Sequence, residues 1–206
     1  MTVEPCTQHP RASSSSTELP DFKLPKYWPR VWALDIDRAH ASVLWAAHDR
    51  ETDTLHLYSE LVMPRHELAL VANAIKKRTP HVPGLFDHLA RKRSQQEGQR
   101  VVDALLDLHI EIFTVQVDPD AAVSEVVGRL STKRLKVFGT CTQWLQQYRA
   151  YRRDKDGDIV EESDGLMRAM DLLVMEGAQI AGHDPEEVAR AEDEWTSETR
   201  SSVTGY

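Results

Sequence analysis

Residues 31–49 read VWALDIDRAHASVLWAAHD. The first run, Val31–Asp37, is almost continuously apolar up to its acids, as expected for a strand covered on both faces. It carries Asp35 and Asp37 at or just beyond its end. The second run, Ser42–His48, is rich in Val, Leu, Trp and Ala and predicts a strand returning beside the first. Asp49–Asp53 is charged and turn-like, and Thr54–Met63, TLHLYSELVM, alternates well enough for a third strand. Connections this short join antiparallel neighbours, so the three form a meander.

Beyond Pro64 the period changes. Leu68, Val71, Ala72 and Ile75 share one helical face within His66–Lys77. Leu85 and Phe86 make a very short strand that delivers Asp87, and Val101, Val102, Leu105 and Leu106 mark a helix over Gln95–Leu108. A strand follows over Ile110–Val115. Asp118-Pro119 then supplies a cap and a first-turn proline for the next helix. Leu135–Phe138 is a short strand, and Thr140 or Thr142 caps a helix through Trp144, Leu145 and Tyr148. Asp156-Gly157, inside YRRDKDGDIV, predicts a hairpin. Asp164 opens a last helix whose apolar stripe is Leu166, Met167, Met170, Leu173 and Val174, with Gly177 closing it. The methionines in that stripe read as core.

This order predicts an α/β layered architecture: a mixed sheet with three initial antiparallel strands and flanking helices. A ribonuclease-H-like domain fits it. A flavodoxin-like or Rossmann-like domain fits worse, because the first three strands lack crossover helices. No GxGxxG or GxxxxGK[ST] motif is present.

With 206 residues, 41% hydrophobic and 28% charged, the chain suits one soluble domain with tails. No eighteen-residue apolar run predicts a membrane span, and the polar N-terminus is no signal peptide. Cys6 and Cys141 form no disulfide framework or zinc spacing, which favours a reducing, intracellular setting. His40, His48 and His56 recur every eight residues but read as surface or half-buried polar positions. The net charge is −8, of which residues 176–206 contribute −6 from eight acids and two bases. Basic clusters at 91–93, 133–134 and 152–153 read either as solvated edges or as contacts for a nucleic acid. The predicted division is an extended or disordered arm over 1–30, a domain over 31–178 and an acidic tail over 179–206.

Asp35, Asp87 and Asp164 come from separated segments that converge at one end of such a sheet. Oxygen-rich sites suit Mg²⁺ or Mn²⁺, and a pair of such ions promotes phosphodiester hydrolysis. Asp35 is the candidate bridging ligand, with Asp87 and Asp164 flanking it. Asp37 competes with Asp35, since strand periodicity puts both on one side. Asp164 reads equally as a helix cap.

The segments ALDIDRAHASVLWAAHDRETDTLHLY, PGLFDHLARKRSQQEG, GRLSTKRLKVF, WLQQYRAYRRDKDGDIV and SDGLMRAMDLLVMEG together resemble the C-terminal nuclease domain of the terminase large subunit of tailed bacteriophages. The resemblance runs from about Val31 to Gly177. It implies a ribonuclease-H-like fold and metal-dependent cutting of double-stranded viral DNA during genome packaging in the cytoplasm of the bacterial host. It carries over Asp35, Asp87 and Asp164 as catalytic metal ligands for two ions, and Arg93, Arg152 and Arg153 as DNA-backbone contacts. It also implies a separately encoded packaging ATPase, the small terminase subunit or the portal as partners, because no motor precedes the first strand.

Five positions depart from the family pattern, among them Glu97 in place of an aspartate and His88 in place of a proline; the other three bear on the site. Asp37 stands where a glycine is common, Gly165 where a histidine is usual, and Arg168 where a second helix aspartate is expected. These departures support an alternative, a catalytically degenerate prophage remnant or assembly module. A further alternative is another ribonuclease-H-like nuclease acting on RNA–DNA hybrids or branched DNA.

Overall fold

The computed structural model describes residues 17–79, 81–90, 94–110, 112–150 and 164–181. Arg93, Arg152, Arg153, the expected hairpin at Asp156-Gly157 and residues 182–206 of the acidic tail lie outside the described residues.

The strands are β1 (Glu18–Leu19), β2 (Arg30–Ile36), β3 (His40–Asp49), β4 (Thr54–Pro64), β5 (Gly84–Asp87), β6 (Ile112–Val115) and β7 (Leu135–Phe138). They form one sheet in the order β1-β7-β4-β3-β2-β5-β6. The pairs β2–β3 and β3–β4 are antiparallel, and the others are parallel. The expected mixed sheet, with its opening meander, is present. The helices are α1 (Leu68–Arg78), α2 (Gln95–Asp107), α3 (Pro119–Ser131), α4 (Thr142–Ala150) and α5 (Gly165–Leu172). A π-helical turn, Leu173–Gly177, carries α5 on into Ala178–Ile180.

Strand alternation divides the core between two faces. Trp32, Leu34, Val43, Trp45 and Phe86 pack against Val71 and Ile75 of α1 and Val102 and Leu105 of α2. Val31, Ala33, Leu44, Leu57 and Leu85 pack against Val126 of α3, Trp144 of α4 and Leu166, Met167 and Met170 of α5. The α5 methionines are therefore core, as the apolar stripe predicts.

Caps set several helix starts. Ser94 and Glu97 form a reciprocal capping box on α2. Asp118 accepts from Ala121 N at 2.8 Å, with Pro119 in the first turn of α3. At α4, where a threonine cap is predicted, the acceptor comes from across the fold: Glu60 of β4 takes Gln143 N at 2.8 Å and Trp144 N at 2.7 Å.

Three further features add to the sequence reading, and the last corrects it. Glu18–Leu19, inside the predicted arm, pair in parallel with Val137 and Phe138 at the sheet edge. Trp28 then lies over His56, with ring centroids 4.7 Å apart, so this part of the arm is packed, while Tyr27 is exposed. Gly177 does not end the last helix: the chain continues to Ile180, and Ala181 is buried in the core. A Cβ on Gly177 would lie 3.4 Å from Val31 Cγ1, an ordinary contact distance, so the residue packs against β2 within the continuing helix.

Candidate metal and active site

Asp35 stands near the end of β2, opposite Ser42 of β3. Alternation puts it on the face of Val31 and Ala33, the face covered by α5. β5 runs parallel to β2 with Leu34 beside Phe86, so Asp87 ends the neighbouring strand at the same level as Asp35. Two buried carboxylates thus close adjacent parallel strands, at 4% and 8% exposure.

The Asp87 carboxylate is held by the backbone. It accepts from Leu89 N at 2.9 Å, Ala90 N at 3.0 Å and Val117 N at 3.3 Å. Gly98 fixes that turn from outside, since a Cβ there would overlap the His88 carbonyl.

α5 brings the remaining acids. Asp164 precedes its first residue, but the side chain does not cap the helix. Gln147 of α4 accepts from Leu166 N at 2.8 Å instead. The Asp164 carboxylate faces Arg168, with Oδ2 to Nε at 3.5 Å. Gly165 lets the helix start press on the sheet. A Cβ there would lie 2.9 Å from Ser42 Cβ, closer still to Ser42 Oγ, and 3.4 Å from Asp35 Oδ2. The glycine at this position is a packing requirement.

Asp171, three residues after Arg168 on the same helix face, was not among the sequence candidates. It is 4% exposed, and its Oδ2 has no hydrogen-bond partner among the described residues. Burial pushes its carboxyl up to about 7; Arg168 pulls it down, and the charges of Asp164 and Asp35 push it up again. One sequence signal pointed to it: a lone acid inside the apolar run MRAMDLLVM, two turns after Asp164.

The charges of Arg168, Asp164 and Asp35 therefore all act on Asp171, with Asp87 at the strand end adjoining Asp35. The Asp37 Oδ1 accepts from Ala39 N and His40 N, both at 2.6 Å, and so caps the β2–β3 turn. Among the described residues, no three His, Cys, Asp or Glu side chains stand ready to hold an ion as they are. The donor chemistry nonetheless fits a hard divalent cation: carboxylate oxygens, buried, mutually repelling, one of them an orphaned acceptor.

No family model matches the chain. Two terminase large subunits, from Enterobacteria phage LP7 and Salmonella phage P22, are each 22% identical over 159 residues, covering 72% of this chain. The chain spans about a third of their length, 33% and 31% respectively. The P22 large terminase nuclease domain superposes with a TM-score of 0.76 at 17% identity, covering 84% of this chain and 93% of that one. The large terminase nuclease of thermophilic phage G20c, solved with bound magnesium, gives 0.54 at 13% identity, covering 83% and 98%. The fold is thus the ribonuclease-H-like fold of terminase nuclease domains. The sequence resemblance to terminase large subunits points the same way. No helix among the described residues is long and apolar enough to cross a membrane.

Proposed function

We infer that this chain is a divalent-metal-dependent endonuclease acting on double-stranded DNA, with a role related to viral genome packaging. One observation carries this reading: buried Asp35, Asp164 and Asp171 converge from β2 and α5, and an acceptor oxygen of Asp171 has no hydrogen-bond partner among the described residues. Such a cluster calls for a cation.

Asp35, Asp164 and Asp171, with Asp87 beside them, would hold Mg²⁺ or Mn²⁺. A divalent ion in such a site lowers the pKa of a water molecule and stabilises charge on the phosphate under attack. The chain's own residues prepare that site. Gln147 and Gly165 seat the α5 start against β2 and β3, and the backbone N–H groups around Asp87 hold its carboxylate in one orientation. On the α5 face of the sheet, Val31 and Ala33 of β2 pack with Leu166, Met167 and Met170 of α5. No side-chain nucleophile is needed.

Arg93, Arg152 and Arg153 are the proposed contacts to the DNA backbone, which position a duplex without reading its sequence. A packaging ATPase, the small terminase subunit or the portal are the proposed protein partners, and the host cytoplasm is the proposed setting.

A second reading, a catalytically silent remnant or assembly module, is favoured by Arg168, a fixed positive charge among the acids. Plasmid cleavage separates the two. Supercoiled DNA is incubated near neutral pH with Mn²⁺, Mg²⁺ or EDTA, alongside Asp35→Ala, Asp87→Ala, Asp164→Ala and Asp171→Asn. Metal-dependent nicking or linearisation that disappears in the variants supports the nuclease. Folded wild-type protein that leaves the plasmid intact with either ion supports the second reading.

A further inference from the structure

β2 ends at Ile36 and β3 begins at His40, so the chain turns over Asp37, Arg38 and Ala39. Asp37 N donates to the His40 carbonyl at 2.9 Å, and Asp37 Oδ1 accepts from Ala39 N and His40 N. Arg65, just after β4, donates its N–H to the Ala39 carbonyl at 2.8 Å. The turn is therefore tied within itself and to β4. It places Arg38 and Arg65 on neighbouring backbone at the end of the sheet where Asp35 and Asp87 stand.

Both arginines are exposed. No hydrogen bond or ion pair engages either guanidinium among the described residues. Arg65 acts on Glu97, an exposed acid already engaged by Ser94 N and Oγ, each at 3.0 Å. Three other arginines are occupied within the fold. Arg129 and Arg134 meet Asp53 at 3.4 and 2.6 Å, and Arg78 donates to Ser59 Oγ and the Glu60 carbonyl. A guanidinium on a fixed turn, not engaged internally, suits a phosphate, which it can meet with two parallel N–H bonds.

We infer that Arg38 and Arg65 bind the phosphate backbone of a DNA duplex within a few nucleotides of the scissile phosphate. The inference rests on the nuclease reading above and adds two contacts to those carried over from the sequence. Reach sets the distance. Arg38 is three residues from Asp35, so their Cα atoms are at most about 11 Å apart. Along one strand of a duplex that is about three nucleotides, at a rise of roughly 3.4 Å each. The Lys133–Arg134 pair, the other basic cluster the structure describes, is at the far end of the sheet. Leu135 pairs with Leu55, and Leu55 with His48, at the opposite end of β3 from His40. Those ends are roughly 27 Å apart at about 3.4 Å per residue.

The test measures binding of a short DNA duplex by fluorescence anisotropy in EDTA, across a range of NaCl concentrations. The full chain is compared as wild type, Arg38→Ala, Arg65→Ala, Arg38→Lys and Lys133→Gln, each checked for folding by circular dichroism. Each alanine variant should bind about tenfold more weakly at low salt, with the slope of log affinity against log salt reduced by about one. Arg38→Lys should keep the slope, because the charge remains. Lys133→Gln removes one charge at the far end and should keep both slope and affinity. Unchanged slopes in folded Arg38→Ala and Arg65→Ala, or an equal loss in Lys133→Gln, would overturn the inference. Plasmid cleavage by wild type with Mn²⁺ would then leave the nuclease reading standing. Folded wild type that neither binds the duplex nor cuts plasmid would overturn both.

Discussion

The Gln147 side-chain carbonyl accepts a hydrogen bond from Leu166 N at 2.8 Å, tying α4 to the first turn of α5. Helix starts leave N–H groups without partners, and the residue before the helix usually satisfies one. Here Asp164 occupies that place and faces Arg168 instead. A remote amide therefore does the capping while the local acid serves the cluster. Gln147→Ala should cost about 1 kcal/mol, the usual size for a lost cap. It should also weaken Mn²⁺ binding, because the start of α5 carries Asp164. Denaturant melts and Mn²⁺ titration of the same variant check both. An unchanged melt would show that another acceptor replaces Gln147.

Gly165 makes a stricter demand. Any Cβ there meets Ser42, with 2.9 Å to its Cβ, so strand and helix must part to admit a side chain. Overpacking of this kind commonly costs 1–3 kcal/mol, roughly. Gly165→Ala should fall in that range and Gly165→His well beyond it. Ser42→Gly, placed in the Gly165→Ala background, removes the opposing atoms and should recover part of the loss. The interaction energy from the double-mutant cycle reads this directly. Strict additivity would show that α5 shifts elsewhere.

Local rules made the meander legible, because apolar runs between Asp49–Asp53 and Pro64 leave few pairings for β2, β3 and β4. They also made Asp35, Asp87 and Asp164 visible as acids at element ends. What escaped them depends on distance through space. Glu60 and Gln147 cap helices from 84 and 19 residues away, and no capping pattern spans such gaps. Gly165 reads as a departure from a family pattern until Ser42 is seen against it. Asp171 sits in an apolar stripe, where periodicity registers an interruption but not the acids that surround it. Glu18–Leu19 form a strand only because the edge of β7 is there to pair with.

Cys141 offers a test of the packing behind the site. It is fully buried, and its Sγ lies 3.8 Å from the Leu57 carbonyl oxygen. Burial, with smaller contributions from Glu60 and Asp21, pushes its thiol up to about 12. The thiolate is the reactive form. Native protein at pH 8 should leave Cys141 unlabelled by iodoacetamide over a time that labels it fully in denaturant. Peptide mass spectrometry distinguishes it from Cys6. Rapid native labelling would mean that the α4 side of the sheet opens readily.

The cluster also predicts how stability follows pH. Asp171 is raised from 3.8 to about 7 in the fold, by burial first, then by Asp164 and Asp35, against the pull of Arg168. Between those values the folded chain keeps a proton that the unfolded chain has released. Stability is then fully present below pH 4, roughly, and is lost as pH rises through about 7, at no more than about 1.4 kcal/mol per pH unit. Asp171→Asn resembles the protonated form, so its stability should stay flat over this window. At pH 4 it should match wild type; at pH 7.5 without metal it should exceed wild type by a few kcal/mol, order of magnitude. Mn²⁺ should reverse the order. Wild type recovers stability because the ion compensates the carboxylate, while the amide, a poorer ligand, gains less. Chemical denaturation of both proteins at pH 4, 5.5 and 7.5, with Mn²⁺ and with EDTA, measures every term. If metal-free wild type and Asp171→Asn keep the same pH dependence, Asp171 is ionised in the fold throughout, and Arg168 alone has balanced it.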